Sequence, residues 1–304
     1  DVPVTPQIKT VAKGEAGEKT MEPLTSVTIK DTVSCTDVIP GKTYTVNGYL
    51  VLKSTGEPLL DGAGHRITAT NTFVGGNNFE GSTVLSFTFD ASLIAGDAVV
   101  VYDTLHRDGV EVATHKSVSD ADQTVSFFAP EIKTSAVNPD GNVKVVDPSI
   151  GVSIVDTVSY KHLTPGHKYV LKGQMMDRDA QQPAKDDNGI YIVGTTTFTP
   201  ATTEGSVDVT FTFDATEIAG VQLVAFEKLY HVAISSDIPV ATHEDIEDAE
   251  QTVTVEAPEI TTHATNAEDG TKFLDPQYMV KVRDSVVYEK VVEGHTYLLT
   301  GKVF

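Results

Sequence analysis

Between residues 1 and 262 the chain writes one long unit nearly twice, and a repeat of that size restricts it to tandem domains rather than a solenoid of short units. Each copy closes on a polar cluster: Val112-Ala-Thr-His-Lys-Ser-Val-Ser-Asp-Ala-Asp-Gln-Thr-Val125 in the first and Val240-Ala-Thr-His-Glu-Asp-Ile-Glu-Asp-Ala-Glu-Gln-Thr-Val253 in the second. His, Asp, Gln and Thr stay in register while their neighbours drift. Other landmarks recur beside them, among them Phe87-Thr-Phe-Asp-Ala against Phe211-Thr-Phe-Asp-Ala, and Pro40-Gly-Lys-Thr-Tyr44 against Pro165-Gly-His-Lys-Tyr169. The expected division is a domain over 1–129, a second over 130–257, and over 258–304 the opening of a third copy, which reaches Glu293-Gly-His-Thr-Tyr297 without the closing cluster.

Within each unit short runs alternate apolar residues with Thr, Ser and Lys, as in Val207-Asp-Val-Thr-Phe-Thr-Phe213, and Gly, Pro, Asn and Asp clusters separate them. That pattern specifies strands and turns, and no long segment has a helical period. The expected fold is all-β: tandem immunoglobulin-like β-sandwich domains, joined end to end as a rod by the short Pro-stiffened joints Ala129-Pro130-Glu131 and Ala257-Pro258-Glu259.

The net charge of −21 argues against nucleic acid as a partner, since a polyanion is held by Lys and Arg. One cysteine in 304 residues excludes an intrachain disulfide framework, and Cys35 stands where the other copies have Tyr160 and Tyr288, a packing substitution rather than a reactive thiol. No secretory signal, membrane span or sorting sequence is read in this segment.

Each unit also opens in a fixed way: Pro6-Gln-Ile-Lys-Thr10, Pro130-Glu-Ile-Lys-Thr134 and Pro258-Glu-Ile-Thr-Thr262. Side chains at i and i+2 of a strand share a face, so if Ile8 and Ile132 point into the core, Thr10 and Thr134 do too. The same parity on the last strand aims Gln123 and Gln251 inward. A buried carboxamide is costly without partners, and a Thr–Gln hydrogen bond is the simplest way to supply one. The alternative is reaction: the Thr hydroxyl attacks the carboxamide, ammonia leaves, and an ester joins the strands. That chemistry needs a proton acceptor, an acid to polarise the amide, and exclusion of water. His115 and Asp120 precede Gln123 at the same spacing as His243 and Asp248 precede Gln251.

In these residues the chain resembles the ester-bond domains that form tandem stalk repeats in cell-wall-anchored adhesins of Gram-positive bacteria. Val224-Ala-Phe-Glu227 matches the family's acidic Val-x-Phe-Glu stretch. The resemblance implies Thr134 as nucleophile, Gln251 as electrophile, Glu227 with Asp248 as the acid pair and His243 as their assistant. In the first domain it implies Thr10, Gln123, Asp103, Asp120 and His115, with Asp103 one methylene shorter than the family's Glu. Thr262 matches the nucleophile, but no Gln follows at the right distance, so it is expected to be unreacted. The resemblance further implies an extracellular, cell-wall-anchored location, a monomeric rod, and binding of a host surface ligand through other regions of a longer protein.

Rival readings meet specific obstacles. An isopeptide through Lys9 or Lys133 runs against parity, which points these side chains outward. The acidic stretch Asp177–Gly189 lacks the ordered spacing of a calcium loop, so neither metal nor cofactor is expected. His106, His162, His167, His231 and His263 have no recurring partners and read as ordinary surface or strand histidines. A turnover enzyme needs one open site, whereas these acids repeat beside a Gln in each unit. A ligand-binding β-sandwich module without cross-links remains the alternative.

Overall fold

The computed structural model describes residues 5–276, 278–291, 294 and 296–303, and strands carry nearly all of its regular structure. The first copy contributes β1 (Gln7–Gly14), β2 (Thr20–Met21), β3 (Val27–Thr36), β4 (Thr43–Leu52), β5 (Thr68–Val74), β6 (Glu80–Phe89), β7 (Ala98–Arg107), β8 (Val110–His115) and β9 (Thr124–Phe127). They form a three-stranded sheet in the order β1-β3-β6 and a second sheet, β2-β9-β7-β4-β5, with β8 added to β7. The second copy contributes β10 (Glu131–Val137), β11 (Val145–Val146), β12 (Val152–Lys161), β13 (Tyr169–Asp177), β14 (Gln182–Pro183), β15 (Val193–Phe198), β16 (Gly205–Phe213), β17 (Gln222–His231), β18 (Ala241–His243) and β19 (Thr252–Val255). Its sheets are β10-β12-β16 and β11-β19-β17-β13-β14, with β15 on β13 and β18 on β17, so the connectivity repeats. The expected all-β sandwich in tandem is what forms.

The alternation that writes these strands also makes the cores. On β12 the inward set is Val152, Ile154, Asp156, Val158 and Tyr160, and on β3 it is Val27, Ile29, Asp31, Val33 and Cys35. These face Leu171, Met175, Leu223, Ala225, Leu229 and Val253 in the second domain, and Leu50, Val99, Val101, Leu105 and Val125 in the first. Each large side chain buried in this way stabilises its domain by about 1.5–3 kcal/mol relative to exposure. Cys35 packs in the first core, where burial, then the charge of Asp103, pushes its thiol up to about 11. It is therefore a poor nucleophile at neutral pH.

The two domains touch through polar contacts of recognisable origin. His162 occupies a left-handed turn after β12 (φ 59°), stacks on Phe128 with ring centroids 4.2 Å apart, and brings Nδ1 to 2.9 Å from Glu22 Oε1. Beside it the Thr164 hydroxyl donates to the Pro23 carbonyl at 2.7 Å. The third copy begins with β20 (Glu259–Asn266) paired antiparallel to β21 (Val282–Glu289). Here Lys290, again in a left-handed turn (φ 57°), reaches Glu256 at 3.1 Å and Glu259 at 2.8 Å. Within Glu293-Gly-His-Thr-Tyr297, residues Glu293 and His295 lie outside the described residues.

Candidate functional site

Thr134 leaves the core-facing side of β10, and Gln251 ends a single 3-10 turn (Ala249–Gln251) that leads into β19 on the opposite sheet. Both are buried, and the Gln251 carboxamide nitrogen donates to Thr134 Oγ1 at 2.6 Å. The hydroxyl and the carboxamide are thus in contact across the sandwich. In the first domain Gln123 is equally buried, and its amide nitrogen donates to Asp103 Oδ2 at 2.9 Å, with Thr10 facing the same carboxyl. The shorter Asp103 side chain therefore still reaches the carboxamide.

The turn before each Gln is built identically. Asp248 accepts from the Glu250 amide through Oδ1 at 2.8 Å and contacts His243 Nε2 through Oδ2 at 2.9 Å. Asp120 does the same with Asp122 at 2.8 Å and His115 at 2.7 Å. Thr252 and Thr124 close the turn by donating to the Asp248 and Asp120 carbonyls at 2.7 and 2.6 Å. The hydrogen bond from His243 holds the Asp248 carboxyl below its usual range. His243 lies opposite Glu227 in the β17–β18 ladder, and His115 lies opposite Asp103 in β7–β8.

One expectation needs correcting. Asp248 and Asp120 are partly exposed and belong to their histidines; the carboxyl that meets Glu227 is Asp156 of β12, and the one that meets Asp103 is Asp31 of β3. All four of these acids are 0% exposed. As carboxylates, Asp156 and Glu227 are left among the described residues with only the Thr134 hydroxyl, which faces Asp156, as a nearby donor. A single proton on the pair creates a donor between them. Burial, then the charge of Asp156, raises the Glu227 pKa strongly, and burial, then Asp31, does the same to Asp103. Asp156 and Asp31 are raised less, because burial is opposed by hydrogen bonds, chiefly from Thr134 for Asp156 and Asp103 for Asp31. Each site therefore holds a protonated acid beside a group that ionises more easily.

Asp31 and Asp156 escaped the sequence reading although a signal existed: each interrupts an otherwise apolar inward column, and Asp284 repeats the position on β21. Glycine marks the same place. Gly173 pairs with Glu227 and Gly48 with Asp103, and a Cβ on either would fall 2.4 Å from Glu227 Oε1 or 2.7 Å from Asp103 Oδ1. Lys9 and Lys133 are exposed, as parity requires. Thr262 is exposed on β20, opposite Val286. His231 is a strand histidine, the last residue of β17: it is buried, 3.0 Å from His167 and packed edge-on against Tyr169. No group of three or more His, Cys, Asp or Glu suited to a metal occurs among the described residues.

A sandwich whose opening strand offers a buried hydroxyl to a buried carboxamide, with a carboxyl pair alongside, is a domain equipped for an internal linkage between Thr and Gln. The family model of the T-Q ester bond containing domain matches residues 6–127, 130–255 and 258–304, and the chain belongs to that family. No curated protein matches it. Similar solved structures include a bacterial adhesin from Mobiluncus mulieris containing intramolecular disulfide, isopeptide and ester bond cross-links. It is 16% identical, with 86% of this chain and 88% of that one covered and a TM-score of 0.36. A second crystal form of that adhesin matches 93% of each chain with the same identity and TM-score. Red sea bream transglutaminase is 10% identical over 82% of this chain and 31% of its own, with a TM-score of 0.34. At these values the family model alone carries the assignment.

Proposed function

We propose that the chain is a stalk segment of a bacterial surface adhesin, divided at 1–129, 130–257 and 258–304, in which each complete domain locks itself with one Thr–Gln ester. The observation that carries this reading is the 2.6 Å contact between Thr134 and Gln251 beside two buried carboxyls. Asp156, the more easily ionised acid and the one facing Thr134, takes the hydroxyl proton as Oγ1 attacks the Gln251 carboxamide carbon. Glu227, which keeps its proton at neutral pH, polarises the carboxamide and protonates its nitrogen, and ammonia leaves. The proton on Asp156 then restores the singly protonated pair. His243, oriented by Asp248 and partly exposed, connects the pair to solvent. In the first domain Thr10 is the nucleophile and Gln123 the electrophile, His115 and Asp120 match His243 and Asp248, and the acid pair is Asp31 with Asp103, the latter facing both Thr10 and Gln123.

The reaction runs once per domain, among groups that are buried. An open surface groove of about 560 Å³, lined by Lys172, Gln174, Phe226, Lys228 and Tyr230, includes neither Thr134 nor Gln251. A closed site suits a bond that must survive, because water that entered could hydrolyse it. In a chain anchored to a cell wall outside the cell and pulled through a ligand-binding region elsewhere in the protein, load enters a domain near its first strand and leaves near its last. An ester between Thr134 and Gln251 carries that load between the two sheets without unzipping either. Intact-mass measurement of the wild type and of Thr134→Ala and Gln251→Ala tests the reading. Two ammonia losses are expected in the wild type and one in each variant; a wild-type mass equal to the sequence sinks it.

A further inference from the structure

Beside each Gln a lysine recurs that the ester chemistry itself does not require. Lys19 Nζ donates to the carbonyls of Ala121, Asp122 and Thr124 at 3.1, 2.6 and 3.0 Å. Lys144 Nζ donates to the Ala136 carbonyl at 2.8 Å, to Ser135 Oγ at 3.4 Å and to the Glu250 carbonyl. Asp122 and Glu250 are the residues immediately before Gln123 and Gln251, so both ammonium groups hold the same peptide unit. Both lysines also precede a two-residue strand, β2 or β11, that pairs in parallel with the last strand.

We propose that Lys19 and Lys144 are positioning residues for ester formation: each ammonium clamps the Gln-bearing turn where the carboxamide meets the Thr hydroxyl. The proposal rests on the ester reading. In the second domain one ammonium ties Ala136, two residues beyond Thr134, to Glu250, one residue before Gln251, so it bridges the two reacting segments directly. In the first domain the strand-to-turn bond is made by the backbone, Ala12 N–H donating to the Asp122 carbonyl at 2.9 Å, and Lys19 gathers the turn around that junction. The third copy has half of the clamp: Lys272 donates at 2.6 Å to the carbonyl of Ala264, two residues beyond Thr262.

An ion pair with Glu250 is a lesser part of the arrangement, at 3.5 Å from a mostly exposed carboxylate. The carbonyl bonds are charge-assisted and fix direction as well as distance. Placement matters because a misplacement of about 1 Å between reacting groups can cost roughly 100-fold in rate. The same cation acts on the buried acids. Against the upward push of burial, Thr134 and Glu227 favour ionised Asp156 most, and His243 and then Lys144 add smaller contributions of the same sign.

The test follows ammonia loss by intact mass in freshly translated full-length wild type, Lys144→Met, Lys144→Arg and Lys19→Met. Lys144→Met is expected to slow the second domain's loss roughly 100-fold, with the first domain unchanged as an internal control. Lys144→Arg, which keeps charge and donors, should recover most of the rate, and Lys19→Met should slow only the first domain. Wild-type loss together with an unchanged rate in Lys144→Met overturns the clamp alone. No loss in the wild type overturns the ester reading and the clamp with it. If limited proteolysis shows that Lys144→Met leaves the second domain unfolded, Lys19→Met decides; unfolding in both makes the lysines folding residues and refutes the proposal.

Discussion

Asp156 and Glu227 meet from opposite sheets of the second domain, both fully buried, and Asp31 and Asp103 repeat the arrangement in the first. Two carboxyls that close cannot both ionise easily, so the fold keeps a proton in its interior at neutral pH. That proton is the acid an unreactive amide needs. It is also a liability, since a buried carboxyl pair stabilises nothing until its oxygens find donors.

Replacing Glu227 with Gln removes the proton donor while preserving size. Ester formation in the second domain is expected to slow by roughly 10²- to 10⁴-fold, the usual contribution of a positioned acid. The first domain, with its own Asp103, should be unaffected, so intact mass should show one ammonia lost and one retained. Asp156→Asn should act in the same direction by removing the acceptor for the Thr134 proton. Rapid and complete loss in both variants would place the chemistry elsewhere.

The acid pair also sets a pH dependence for the uncross-linked domain, best read in Thr134→Ala. The folded pKa of Glu227 lies above its unfolded value, so as pH rises the unfolded chain loses this proton first and the native state binds more protons. Stability is then fully present below the unfolded Glu range of about 4.3 and declines as pH rises towards the raised native value. Asp156 adds a smaller trend of the same sign. Asp248, with a lowered pKa, contributes oppositely: its share is lost as pH falls below the unfolded Asp range of about 3.9. Urea midpoints should therefore fall between mildly acidic and alkaline pH, and adding Glu227→Gln should flatten that slope.

The contact of Thr134 with Gln251 was legible in the sequence because Thr134 shares a strand face with Ile132, and Gln251 is buried like Val253 two residues on, although a 3-10 turn rather than the strand presents it. Asp103 and Glu227 were found through resemblance. Asp31 and Asp156 were not found, because a lone Asp in an apolar column looks like a strand defect until the opposite sheet supplies a partner. Asp120 and Asp248 were assigned to the acid pair because spacing along one strand end was visible while the sheet-to-sheet contact was not. Gly48 and Gly173 were hidden for the same reason: their purpose lies in the side chain opposite them.

Gly173 predicts a steric result. A Cβ there would sit 2.4 Å from Glu227 Oε1 and 2.5 Å from the Phe211 ring, closer than packed atoms allow. Gly173→Ala is expected to destabilise the domain by about 1–3 kcal/mol, as overpacking usually does, and to displace the Glu227 carboxyl. Denaturant unfolding in the Thr134→Ala background measures the first effect, and the rate of ammonia loss in the reactive chain measures the second.

The domain joint makes a separable prediction. His162→Ala removes the Glu22 contact and the stack on Phe128 but touches neither acid pair. Both esters should form at wild-type rates, while the angle between the first two domains should broaden in small-angle scattering. An unchanged distribution would assign the joint's stiffness to Pro130 and the Thr164–Pro23 hydrogen bond instead.

The proposed cross-link would have a thermodynamic signature that distinguishes it from the hydrogen bond seen between the two side chains. Thr134 and Gln251 are 117 residues apart, and in the chain-entropy model a covalent closure of a loop that long stabilises by about 4–5 kcal/mol. A single hydrogen bond contributes about 1 kcal/mol. Comparing the wild type with Gln251→Glu, whose carboxylate can still approach the hydroxyl, isolates the bond only if the variant stays unreacted by mass. Thr134→Ser is the sharper control, since it keeps the nucleophile and should retain both the link and most of the stability. If wild type and Thr134→Ser unfold together and Thr134→Ala unfolds several kcal/mol earlier, the bond carries the stability. If Thr134→Ala differs by only about 1 kcal/mol, the size of a hydrogen bond, the pair is holding the sheets without joining them.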